Sequence, residues 1–361
     1  MTERGKISTR QMFAIMFLIR VIALFTFMLP SDSYLQSGDR VIVTFPVMIF
    51  EFIFLLIAVF VLKKSENEGL IKYSCRLSPF IGRVISVIYA LGFIWFAGIG
   101  VARFELFIST VMFPNSELYI MAVLLILSAV FASLKGIEAI GRASGILIVI
   151  LTACILFVVL TVSDDFEYTN LKPILTKGIP PVIKFSFYIS MRTVELLTLY
   201  VTAPKIKGNI FKMASLWITA FGLLTVGIIT LLSGVTGEYG DDQIFQLYTL
   251  TVIAKLGIFE RLDDILTGIW VLCSFILAAF LIYTATLSLK QAFGEIKKLP
   301  VSILSGAGIF AVYYFTSGTV TGFTKIVGSS FQNILFITLM VILPLTVTTL
   351  NLIKERRKNR C

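Results

Sequence analysis

The stretch VIKFSFYISMRTVELLTLYVTAP, residues 182–204, decides how this chain is read. It is long and apolar enough to cross a bilayer, which takes about 20 residues. Yet Ser186, Tyr188, Ser190, Arg192, Thr193 and Glu195 interrupt the apolar run, and Gly178-Ile179-Pro180-Pro181 precedes it. A lipid-facing helix has no use for such groups, because a charge at the bilayer centre costs about 2.5–3.5 kcal/mol on insertion scales. Two readings follow. One is an intact helix with a polar inner face and no ligand. The other is a span broken near its middle, whose unwound backbone lends free N–H and C=O groups to a bound molecule.

The rest of the chain is of the same kind. Hydrophobic residues make up 57% of its 361 residues and charged residues 14%, with a mean hydropathy of +0.95. A soluble domain of this length would carry about 25% charge. Apolar runs at 11–29, 41–62, 80–113, 118–134, 143–162, 182–202, 213–235, 262–289, 300–315 and 331–353 predict an all-α polytopic membrane protein of about ten spans. These fill a single transmembrane domain over 1–361, with no room for a soluble one. The runs at 80–113 and 262–289 exceed what the hydrocarbon needs, which implies tilt or extension beyond it. The first run is too long for the core of a cleavable signal, and no small-x-small site follows it.

The net charge of +10 does not point to nucleic acid, because the basic residues sit in short clusters between apolar runs. Twenty lysines and arginines fall in the two termini and alternate loops, against seven in the remaining loops. This bias predicts both termini on the cytoplasmic side and an even number of spans. Three segments on the other side are longer. Residues 163–181 carry Asp164, Asp165 and Glu167, the apolar spacing of 238–261 suits a surface helix, and the Gly, Ser and Thr of 317–330 read as a loop.

Six charges fall inside apolar runs and away from the ends of those runs: Arg20, Glu51, Arg103, Glu105, Arg192 and Glu195. Three are basic and three acidic, so pairing between helices can neutralise all of them. The bland reading is structural ion pairs, among Glu51, Arg103, Glu105 and Arg192 above all, with Arg192 against Glu105 or Glu51. The functional reading is a polar pocket for the ammonium and carboxylate of a small zwitterion. Thr26 is the only hydroxyl within the first run, which ends before Pro30. Phe104, Trp270 and Tyr283 lie beside the polar spans, and Gly92, Gly98 and Gly100 suit close helix packing. The chain has no histidine, which removes the usual neutral-pH proton carrier and any Ser-His-Asp triad. The four cysteines have neither metal-site nor disulfide-framework spacing. No enzymatic activity, metal or cofactor is expected.

The segment IFERLDDILTGIWVL, 258–272, resembles the start of the eighth span in the spore germinant receptor B-subunit family, within the amino acid–polyamine–organocation transporter superfamily. KISTRQMFAIMFL at 6–18 is similar to the family's opening, and NLKPILTKGIPPVIK at 170–184 to its connection between spans five and six. Glu195, followed by Pro204, Lys205 and Lys207, resembles the family's sixth-span glutamate and basic exit. The resemblance covers essentially the whole chain. It implies two inverted five-helix repeats, 1–175 and 176–361, with spans 1 and 6 broken near the midplane (a LeuT-like, 5+5 arrangement). It also implies a place in the inner membrane of a bacterial cell or spore, partner A and C subunits, and recognition of a small nutrient such as an amino acid.

With spans 1, 3, 6 and 8 as walls, the candidate ligand-binding residues are Arg20, Ala23, Phe25, Thr26, Phe104, Ser186, Tyr188, Ser190, Glu195 and Tyr283. The chain departs from the family where Ala23 and Phe25 replace glycines of span 1, and where no glycine precedes Glu195. Glycine lets backbone approach a ligand closely, and phenylalanine does not. Either the ligand is not a plain amino acid, or the subunit has lost direct recognition. Three roles fit these residues: a nutrient-sensing subunit, a secondary amino acid permease of the same fold, or a membrane scaffold that binds nothing.

Overall fold

A computed structural model describes residues 5–26, 37–112, 118–241, 243, 245–253, 263–317 and 320–358. In chain order the helices are α1 (Thr9–Thr26), α2 (Ser37–Lys64), α3 (Leu70–Cys75), α4 (Pro79–Phe107), α5 (Leu118–Lys135), α6 (Ile137–Val162), α7 (Ile179–Ser190) and α8 (Val194–Thr202). There follow α9 (Ile210–Asp241), α10 (Gln246–Ile253), α11 (Asp263–Phe293), α12 (Lys298–Thr316), α13 (Val320–Val327), α14 (Ser330–Ile337) and α15 (Leu343–Lys358). A wide π turn, Ile108–Met112, extends α4, and another, Thr338–Ile342, joins α14 to α15. The sheet among the described residues is one parallel pair, β1 (Ile7–Ser8) with β2 (Ile206–Lys207).

Seven helical stretches among the described residues are long and apolar enough to cross a membrane: those at α2, α4, α6, α9, α11 and α12, and the stretch Gly322–Arg357. The chain is therefore an integral membrane protein. Its centre and its rim differ in burial. In the most apolar window of each helix, 72% of α11 and 61% of α4 is buried, against 28% of α6. Helices α4 and α11 pack along each other at the core, and the glycines of α4 set how closely its neighbours approach. A Cβ on Gly100 would sit 2.6 Å from Leu277, and one on Gly98 would sit 2.5 Å from Val312. Small residues at such crossings let helices associate where no hydrophobic drive exists between helix and lipid. On the rim, Phe131 of α5 and Ile146, Val149 and Leu160 of α6 are exposed, as residues facing acyl chains are.

Local signals set the boundaries. Ser78 accepts from the Phe80 N–H at 3.3 Å and Pro79 opens α4, a favourable start because the first N–H groups have no helical partner. Pro180 and Pro181 do the same for α7, inside its first turn rather than before it. Gly136, with φ of 89°, alone separates α5 from α6. The basic loop expected over 135–142 is thus one residue long. Arg142 lies within α6, 3.4 Å from Glu138, because α6 starts before the apolar run does.

Two expectations about the longer segments need correction. Residues 317–330 are not a loop throughout: α13 forms there, held by fully buried Phe323 and Val327 one turn apart. Apolar spacing outweighed the Gly, Ser and Thr content. The helix expected within 238–261 is present as α10, but it docks on the bundle through buried Leu247 and Leu250. Residues 254–262, which include the start of the IFERLDD stretch, lie outside the described residues.

Contacts gather particular segments at each end of the bundle. At one end, β1 pairs with β2, Lys354 of α15 donates to the carbonyls of Arg76 and Leu77 beyond α3, and Asn351 donates to Tyr73 O. At the other, Asp39 of α2 accepts from the Leu175 N–H at 2.6 Å, and Asn170 donates to Gly234 O of α9 at 2.8 Å.

Candidate functional site

The apolar run at 182–202 is broken. Helix α7 ends at Ser190, α8 begins at Val194, and Met191, Arg192 and Thr193 form the turn between them. The Met191, Arg192 and Thr193 N–H groups bond to Phe187, Ile189 and Ser190 carbonyls at 3.1–3.3 Å, so the chain leaves the helix without stranding its donors. Thr193 has φ −83° and ψ 64°, outside helical geometry, and its hydroxyl ties the turn to its surroundings. That hydroxyl lies 2.9 Å from Ser190 O and 2.7 Å from Oε1 of Glu51 on α2.

The same Glu51 oxygen accepts from Arg20 Nη2 of α1 at 2.8 Å. Arg20 and Glu51 are 6% and 3% exposed. A buried pair of this kind holds three elements in one register, since removing one partner alone leaves an uncompensated charge and costs about 3–5 kcal/mol. Arg20 also lies 5.8 Å above the ring of Phe221 on α9. Arg192 has different partners from those expected. Its guanidinium sits 4.2 Å over the Tyr188 ring, and Nη2 donates to Val327 O at 3.2 Å. It pairs with neither Glu51 nor Glu105: Glu51 is engaged by Arg20 and Thr193, and both oxygens of buried Glu105 have no hydrogen-bond partner.

These groups surround a cavity of about 170 Å³. Arg20, Glu51, Arg103, Arg192 and Glu195 line it, with Arg40 and Gln332 also in the wall. Phe96, Ile99, Phe185 and Ile189 supply apolar surface, and Gly100 keeps part of the wall thin. Of the cavity-lining side chains among the described residues, Arg103 Nε, Arg192 Nε, Glu195 Oε2 and Gln332 Oε1 are buried without a hydrogen-bond partner. Buried polar atoms are nearly always paired, so four unpaired atoms around one cavity make it the candidate site.

The expected ligand-binding residues are distributed unevenly. Arg20 and Glu195 face the cavity. Ser186 donates to Val43 O and Val182 O, Ser190 to Phe187 O, and Tyr188 to Val327 O at 3.3 Å. These hydroxyls are therefore engaged with backbone, and none of the three residues lines the cavity. Phe104 stacks on Trp270 with centroids 5.3 Å apart, and Tyr283 is buried in the core. Neither lines the cavity. The side chains of Ala23, Phe25 and Thr26, and residues 27–36 with Pro30, lie outside the described residues. Sequence reasoning passed over Arg40 and Gln332. The amide of Gln332 in an apolar run is a signal of the same kind as the charges.

Fold and site together define a helical integral membrane protein with a charged, ligand-sized cavity beside a broken span. Its sequence matches the family described as "Spore germination protein" over residues 6–319, and the chain belongs to that family. Among its relatives in Bacillus subtilis (strain 168), it is 22% identical to "Spore germination protein YndE" over 71% of this chain and 70% of the relative. It is 25% identical to "Spore germination protein KB" over 63% of each, and 23% identical to "Spore germination protein A2" over 73% of each.

Proposed function

We propose that this chain is the transmembrane nutrient-sensing subunit of a spore germinant receptor, which binds a small germinant such as an amino acid and signals to A and C subunits. The observation that carries the reading is the cavity beside the α7–α8 break, with unpaired Arg103, Arg192 and Glu195 atoms in its wall. Family membership supplies the biological setting. In this reading α1, α5 and the α7–α8 pair join the seven long apolar stretches to make ten spans in two inverted five-helix repeats, 1–175 and 176–361. The protein lies in the bacterial inner membrane, with the basic loops and both termini in the cytoplasm. Its work is binding, without catalysis. Signalling requires that the germinant favour one of two states by differential affinity, and a site that joins α1, α2 and α8 is suited to that, because a ligand there touches elements that can shift against one another.

The test is germination of spores lacking this gene against amino acids, sugars and nucleosides, alongside amino acid uptake by growing cells. Lost germination to one nutrient with normal uptake is the expected result. In the same assay Glu195→Gln, and Tyr188→Ala through the ring beneath Arg192, are expected to weaken the response with protein levels unchanged. If both variants respond as wild type does, the pocket assignment fails. The second reading is a secondary amino acid permease, favoured by the unpaired Glu195 oxygen at the cavity, a carboxylate of the kind that carries a coupling proton in a histidine-free chain. Normal germination with lost uptake would establish it. Saturable binding to the purified chain would exclude a scaffold that binds nothing.

A further inference from the structure

The charge around the cavity constrains what it accepts. Glu51 is spent on Arg20 at 2.8 Å. What remains deep in the wall is Arg103 and Arg192 against Glu195. Arginine stays protonated in proteins, whereas a glutamate is either charged or neutral. The wall therefore carries at least one net positive charge in either state of Glu195, and more if that carboxyl is neutral. The first turn of α8 adds the positive end of a helix dipole, since Val194 is itself in the wall. Phe96, Ile99, Phe185 and Ile189 make much of the wall apolar, and a low-dielectric wall strengthens the effect of that excess.

We propose that the ligand of this cavity is a small carboxylate of net negative charge, held by Arg103 and Arg192, with Glu195 Oε2 accepting from a donor group of the same molecule. This rests on the reading of the cavity as the nutrient site and narrows it. A neutral amino acid would leave the arginine excess uncompensated, whereas an acidic amino acid or a small hydroxycarboxylate would balance it. The volume of 170 Å³ is below the roughly 300–1,000 Å³ of drug-sized pockets, which suits a molecule of either kind.

The experiment is calorimetric titration of the full chain in lipid nanodiscs with L-aspartate, L-lactate, L-asparagine and L-alanine. The expected result is saturable binding of an anionic member at least tenfold tighter than its net-neutral counterpart. Arg103→Gln is expected to weaken that binding about 10- to 100-fold, the range of a charge-assisted hydrogen bond, and Arg103→Lys to weaken it less. Both variants are first checked for monodisperse elution and an unchanged unfolding midpoint without ligand. Aspartate binding without lactate binding would place an ammonium on Glu195, and equal binding would mark a simple hydroxycarboxylate. The proposal is overturned if asparagine or alanine binds as tightly as aspartate, if no member binds, or if folded Arg103→Gln binds anions as wild type does. A strain that loses germination to a neutral nutrient whose binding the nanodiscs show would sink the charge inference and leave the receptor reading standing. Anion binding by a chain whose loss leaves germination intact would do the reverse.

Discussion

At the scale of single residues, the Arg20–Glu51 contact is the most consequential pair inside the membrane. It lies between α1 and α2, and Thr193 extends it to the break before α8. Its worth is best read by comparing single and double variants. Arg20→Met or Glu51→Leu alone leaves a buried charge without its partner and is expected to cost about 3–5 kcal/mol, whereas the double change is expected to be near neutral. Thermal unfolding of the purified protein would measure both. If the double variant is no more stable than the worse single one, the pair is not acting as a unit. Pairing was only partly legible at this scale. That Arg20 and Glu51 needed reasons to be in the bilayer was plain from their neighbours. That they answer each other was not, because partner choice depends on how α1 and α2 are rotated about their axes.

At the scale of elements, the π turn Thr338–Ile342 shows how a break is tolerated inside lipid. A π turn leaves carbonyls without the usual helical donor, and here Tyr200 of α8 donates to Met340 O at 2.9 Å, while Tyr89 of α4 donates to Leu339 O. Both tyrosines are fully buried. Tyr200→Phe is expected to strand a buried carbonyl and lower stability by about 1–3 kcal/mol, with little change at the cavity. A lowered unfolding midpoint with intact ligand affinity is the expected signature, and an unchanged midpoint would show that another donor reaches Met340. The α7–α8 break was legible as one of two readings, because polar residues crowd one short stretch. The π turn was not, since TLMVI reads as ordinary apolar helix and only the two hydroxyls facing it reveal the freed carbonyls.

At the scale of the whole molecule, one end of the bundle is tied together by contacts between segments far apart in sequence. Glu68, in the link between α2 and α3, lies 3.1 Å from Arg76 and 3.5 Å from Lys72. The slight burial of Glu68 favours its protonated form, but Arg76 and Lys72 outweigh this and hold its carboxyl below the ordinary carboxylate range. A carboxylate with a depressed folded value contributes stability above its unfolded value, and that contribution is lost as pH falls through the folded one. Hydrogen exchange over 65–76, corrected for intrinsic rates, is therefore expected to lose protection on acidification below pH ~4. A Glu68→Gln variant is expected to lack this dependence. Parallel loss in both proteins would assign the effect elsewhere. Lys354 reaches the Arg76 and Leu77 carbonyls at the same end, so loosening there would also be felt by α15.

The amino-acid sequence by itself determined the class of protein, the apolar runs, the clustering of basic residues and the crowding of polar groups at 186–195, where a break was one of two readings. Each of these follows from quantities that add up locally: hydropathy, charge and the crowding of polar side chains in one segment. The tertiary structure alone decided that Arg20 takes Glu51, that Arg192 turns to Tyr188 and Val327, and that Ser186, Ser190 and Tyr188 are spent on carbonyls. It also decided that Arg103, Arg192 and Glu195 meet at one cavity with a positive excess, and that Glu105 lies outside it. The physical reason is that a serine on a helix can always bond back to its own turn. Whether it does so, or faces a ligand, depends on the rotation of that helix against its neighbours, and no local pattern records that rotation.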